Sequence, residues 1–113
     1  PLVDINANPN IHGKTVLTIG DGLFGSRAVG AAPERWATFG GKSPNSLLFS
    51  RDVVAVDCVM VDLLRAEFGM DGFPVDSAYD YLLNAEQRGM GVFEKGDPWG
   101  AGYNRFKYEV MEL

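Results

Sequence analysis

From Val53 to Leu64 the chain reads VVAVDCVMVDLL, its longest apolar stretch, interrupted only by Asp57 and Asp62. No other feature limits the fold as much. The run is too short and too charged to span a bilayer, so protein must bury it. Asp52 is a suitable N-cap ahead of it and Gly69 a suitable stop behind it, which predicts a helix from Val53 to about Phe68. On that helix Val53, Met60, Val61 and Leu64 lie three, four or seven residues from Asp57, making a largely apolar face with one carboxylate inside. A buried carboxylate needs partners. The favoured supply is the backbone amides of the glycine-rich segment 20–45, which Asp57 would pin to the helix; the alternative is a direct role in a site. Cys58, next along, reads as a small buried hydrophobe and not a nucleophile.

The rest of the chain must build around that helix. At 113 residues it is one ordinary domain. Because it begins at Pro1 without an initiator Met, it is read as a fragment or mature form of a longer protein. Residues 1–13 are rich in Asn, Pro and Gly and read as an entry loop after a short helix end. Thr15 to Ile19 (TVLTI), bounded by Gly13 and Gly20, reads as a buried strand, and Ser46 to Ser50 (SLLFS) as a second. Between them, six glycines and two prolines mark a long ordered loop. A turn at 70–75 precedes a second helix, expected from an Asp76/Ser77 cap to about Arg88 and ended by Gly89 and Gly91. After the turn-rich stretch 94–104, Phe106, Tyr108, Val110 and Leu113 alternate imperfectly with charged residues, which suggests a last strand at an edge. The expected class is α/β: a small mixed sheet of about three to four strands with two main helices, part of a larger α/β domain, since so few strands cannot close both faces unaided.

Charge and composition remove several functions. Net charge is −5, with Lys and Arg scattered, so no basic stripe is present to neutralise phosphates and nucleic-acid binding is disfavoured. One cysteine excludes an internal disulfide and an all-cysteine zinc or iron–sulfur site within this chain. His12 is the sole histidine, which leaves a catalytic triad or histidine-based metal site nothing to build on. The compartment, cytoplasmic or exported, stays open. Trp36, Phe39, Trp99 and Tyr103 fall in the two long loops, where they either line a groove or, the favoured reading, staple the loops to the core.

Gly20-Asp21-Gly22-Leu23-Phe24-Gly25 matches the G-x-G-x-x-G pattern of dinucleotide-binding turns. Asp21 would place a carboxylate beside the phosphates, however, and Gly30 and Pro33 interrupt the helix that should follow, so a tight glycine turn is favoured. Gly40-Gly41-Lys42-Ser43 resembles the end of a phosphate-binding loop, but Trp36 stands where its first glycine belongs. Asp21 and Asp52 each follow a predicted strand. Were the strands parallel neighbours, both carboxylates could converge on a divalent cation or a small ligand, with Gly22 and Gly25 beside them; the plainer reading makes Asp52 a cap and Asp21 a turn residue.

Three segments in order, LTIGDGLFG (17–25), LLFSRDVVAVD (47–57) and YLLNAEQRGMG (81–91), resemble the C-terminal segment of the domain of unknown function 362 family. Relatives in that family commonly carry Asp-Pro where this chain has Asp52-Val53. The resemblance implies a longer protein with an upstream half. Many relatives are associated with iron–sulfur clusters; none of those cysteines is present here, so any cluster would lie elsewhere in the full-length protein. Three roles follow as expectations: a ligand- or metal-binding part of an enzyme, binding a small anion or divalent cation through Asp21, Asp52 and Asp57; a redox-associated accessory domain docking a ferredoxin-like partner; and a structural, sheet-completing domain.

Overall fold

The computed structural model describes residues 2–28, 30–69 and 75–113. Its elements are a short helix α1 (Leu2–Asn6), strand β1 (Thr18–Gly22), strand β2 (Ser46–Ser50), helix α2 (Val53–Phe68) and helix α3 (Val75–Gln87), with single 3-10 turns at His12–Lys14 and Ala37–Phe39. The fold is a small α/β arrangement with two main helices. Among the described residues the sheet is a two-stranded antiparallel ribbon, in place of the expected mixed sheet of more strands.

α2 forms where its caps put it. The Asp52 side chain accepts from the amides of Val54 and Ala55, filling two orphan donors of the first turn, and Gly69 takes a left-handed φ of 66° at the other end. Val54, Ala55, Val56, Cys58, Val59 and Asp62 are all buried, and they point in several directions around the helix axis. A helix covered on more than one side belongs at the centre of a domain. On one flank Val54 and Cys58 meet Val3 of α1, Leu82 and Ala85 of α3, and Met90, which together make the core. The ribbon lies against another flank, with Gly20 and Leu48 facing Met60.

α3 begins at Val75, so Asp76 and Ser77 stand inside its first turn and not ahead of it. The turn expected at 70–75 lies outside the described residues, apart from Val75.

β1 is displaced by three residues from its predicted place, and its two glycines explain why. Gly20 is buried, and a Cβ there would sit 2.7 Å from the Met60 sulfur and 3.3 Å from Leu48 Cβ. The strand therefore uses its glycines to approach α2 closely, and Gly20 to Gly22 are strand residues, not a turn. The apolar residues before them, Val16 and Leu17, are exposed. Residues 106–113, read as an edge strand, form no ladder in this structure.

Candidate functional site

Pairing fixes where the strand-end carboxylates stand. The register runs Thr18↔Ser50, Ile19↔Phe49, Gly20↔Leu48, Asp21↔Leu47 and Gly22↔Ser46, antiparallel. Asp21 therefore lies opposite the start of β2 while Asp52 follows its end, roughly 15 Å away along the strand. Convergence of the two required parallel neighbours, and the antiparallel ribbon does not bring them together. Asp21 is exposed and accepts the Leu23 amide at 2.9 Å, a local Asx turn. Asp52 is committed to structure. One carboxylate oxygen takes the Val54 and Ala55 amides, each at 2.9 Å, and the other takes the Val92 amide at 2.9 Å. Gly91 makes that last bond reachable, because a Cβ at position 91 would fall 1.9 Å from Asp52 Oδ1.

Asp57 does not pin the 20–45 loop. It is half-buried and accepts no hydrogen bond among the described residues, and burial alone pushes its carboxyl above the ordinary value of 3.8. Glu67, ten residues further along α2, holds that loop instead. Its carboxylate accepts the Ala37 amide at 2.8 Å, the Thr38 amide at 2.9 Å and the Thr38 hydroxyl at 2.7 Å. Those bonds hold the Glu67 carboxyl below its usual range against the opposing effect of its partial burial.

Asp62 is the carboxylate that sequence reasoning passed over. Its residue is 0% exposed. It accepts hydrogen bonds from the Tyr79 hydroxyl, from the Tyr103 hydroxyl at 2.9 Å and from the Gly96 amide at 2.8 Å, and pairs with Arg65 at 3.2 Å. Arg65 in turn donates to the Gly96 carbonyl at 2.6 Å. Burial first, and then the bond to Asp62, push both tyrosine hydroxyls well above the ordinary phenol range, so they remain donors at any physiological pH. The hub ties α2, α3 and the 94–104 loop into one body. Every group it exposes is internally satisfied, which marks a structural carboxylate and not a reactive one.

Cys58, also 0% exposed, has its thiol pushed up to about 11, chiefly by burial, so it stays protonated and inert. His12 sits partly exposed in a 3-10 turn. The loop aromatics staple. Trp36 packs edge-on against Phe39 and Phe68 at 5.9 and 5.1 Å between centroids, Phe39 meets Trp99 at 4.8 Å, and Tyr103 stacks on Phe106 at 4.5 Å.

Two features around the β1–β2 ribbon are left over once structural roles are assigned. The first is a small cavity of about 180 Å³ beneath the Gly22 end of β1, to which Asp21, Gly22 and Gly25 all contribute. The second is the outward face of the ribbon. Gly20 and Leu48 point toward α2, so Ile19, Asp21, Leu47 and Phe49 point away; the three apolar ones are 58%, 52% and 61% exposed, and Asp21 stands beside Leu47 at one end of the face. Leu17, of the same parity, is 50% exposed. That face carries on the order of 400 Å² of apolar surface, the size of the largest patch on a typical monomer, which is often functional. Among the described residues, no three side chains of metal-ligating type come together, and no helix is long and apolar enough to cross a membrane. No family model, no curated protein and no solved structure matches this chain.

Proposed function

We propose that this chain is a sheet-completing module whose β1–β2 ribbon seats its outer face on a larger α/β body, as expected of a segment of a protein of the domain of unknown function 362 type. The uncovered apolar face of Ile19, Leu47 and Phe49 is the observation that carries this reading. A two-stranded ribbon is marginal in water by itself and needs further strands or a second covering layer. Here one face is covered by α2 and the other is bare, while both lateral edges are unpaired among the described residues.

The energetics favour a partner in the same polypeptide. Covering roughly 400 Å² of apolar surface is worth about 10 kcal/mol before costs. Association between separate molecules consumes about 4–15 kcal/mol of that in lost freedom. A tethered partner, held at high effective concentration, avoids most of this loss. The carboxylates Asp52 and Asp62 then act inside the module, holding the ribbon, helices and loops in one rigid shape for docking.

Ile19→Lys/Phe49→Lys tests the reading. The unaltered chain should bind a hydrophobic-surface dye such as anilinonaphthalene sulfonate and self-associate weakly with rising concentration. The double variant should lose both behaviours while keeping its helical circular dichroism and its urea midpoint. Loss of about 3 kcal/mol or more of stability in the variant would place these side chains in a core and defeat the proposal.

A further inference from the structure

The cavity beneath the end of β1 is independent of the outer face and opens a different question. Its walls are Gly22 and Leu48 of the ribbon, Met60 and Leu64 of α2, and Gly25 and Trp36 of the long loop. It holds about 180 Å³ and is open to solvent on one side, so a guest can enter without the fold opening. Several polar groups near it are already engaged. The Trp36 indole N–H donates to the Gly25 carbonyl at 3.3 Å, the Ser46 hydroxyl donates to the Pro44 carbonyl at 2.8 Å, and Asp21 accepts the Leu23 amide at 2.9 Å. The Leu23 carbonyl takes the Asn45 amide at 3.2 Å. Water needs two to four polar partners to be held in such a place, so water here is weakly held and easily displaced.

Gly25 keeps the cavity's shape. A Cβ at that position would stand 2.3 Å from Trp36 Cζ2, so only glycine lets the indole lie against the backbone and form a wall. The aromatic ring of Trp36 and the thioether of Met60 suit the face and edge of a second ring. Volumes near this size are known to take a benzene-sized guest when the lining is apolar.

From this geometry we infer that the cavity is a binding site for a small neutral aromatic group, of about six to eight heavy atoms, and not for the small anion or divalent cation expected at Asp21, Gly22 and Gly25. Asp21 is the one charged residue of the lining, which opposes an anion, and among the described residues no three side chains of metal-ligating type come together to hold a divalent cation. A single ring displaces the water and meets Trp36, Met60 and Leu64 at once.

Titration of the isotope-labelled chain with toluene, benzoate and Mg²⁺, followed by amide and indole N–H resonances, decides the matter. Toluene should give saturable shifts at Gly22, Gly25 and the Trp36 indole, with a dissociation constant in the range of about 0.1–1 mM. Benzoate and Mg²⁺ should shift none of the three saturably. Ser46→Val and Leu64→Phe, each of which fills the space, should weaken toluene binding at least about tenfold while the helical circular dichroism is retained. Saturable shifts from benzoate or Mg²⁺ at these positions, absence of toluene saturation in the unaltered chain, or unchanged toluene binding in a folded filling variant would each overturn the inference. Toluene shifts confined to Ile19 and Phe49 would do so too, by assigning the ring to the outer face.

Discussion

Replacing Asp62 with alanine should cost this chain about 3–4 kcal/mol. The substitution leaves three donors without an acceptor: the hydroxyls of Tyr79 and Tyr103 and the amide of Gly96. Each orphaned donor in a water-poor site costs about 1 kcal/mol or more, and removing one partner of a buried charged pair typically costs about 3–5 kcal/mol in all. Arg65, whose side chain is 34% exposed, can turn toward solvent and so adds little. Asp62→Asn keeps the volume and one acceptor oxygen but sets an amide NH₂ among neighbours that all donate. The tyrosine hydroxyls can rotate to accept, so this variant should lose about 2 kcal/mol. Urea unfolding at pH 7, followed by far-ultraviolet circular dichroism, reads both numbers, with Asp57→Asn as the control on the same helix. Total stabilities of small domains lie near 5–15 kcal/mol, so Asp62→Ala should be visibly crippled or unfolded. A loss below about 1 kcal/mol for Asp62→Ala, or an equal loss in Asp57→Asn and Asp62→Asn, would refute the argument that the hub depends on this carboxylate.

Other positions give narrower expectations. Asp52→Ala removes two capping bonds and the bond to the Val92 amide, and should cost about 2 kcal/mol in the same urea assay, more than an ordinary cap. Glu67→Ala should leave the midpoint little changed but speed limited proteolysis within residues 26–43, because the bonds to Ala37 and Thr38 that hold the loop are lost. Asp57→Asn should show the opposite sign to a structural carboxylate. Burial raises the Asp57 carboxyl above 3.8, so the folded chain keeps this proton to higher pH than the unfolded chain does. Its favourable contribution is full below that ordinary value and is lost as pH rises through the raised one. The variant should therefore be more stable than the unaltered chain at pH 7, with the difference closing as pH falls toward 3.

What the sequence discloses here is what local chemistry encodes. Asp52 and Gly69 bracket α2 because a cap and a left-handed stop act within a turn of the helix end, and the helix runs between them as expected. Ser46 to Ser50 is likewise legible, bounded by turn residues. β1 is misplaced because glycines ordinarily punctuate, whereas Gly20 serves a close approach to Met60 that only the folded chain contains. The direction of pairing between β1 and β2 leaves no local trace, and with it goes any way to judge whether Asp21 and Asp52 meet. Asp62 is the clearest loss. Its hydrogen-bond partners Tyr79, Gly96 and Tyr103 stand 17, 34 and 41 residues away, and only Arg65, three residues on, separates it locally from Asp57, which sits in the same apolar run but has no partner among the described residues. The i, i+3 spacing of Asp62 and Arg65 was the available local signal.

The central claim is that the β1–β2 ribbon is built to be covered. Amide hydrogen exchange of the isolated chain, resolved by residue, addresses it most directly. With its outer face bare and its edges open, the ribbon should open locally, and the amides of Ile19 and Phe49 should exchange at least about a hundredfold faster than those of Cys58 and Val59 in α2. Protection of the ribbon equal to that of α2 would mean that the two strands are complete as they stand, and would contradict the account.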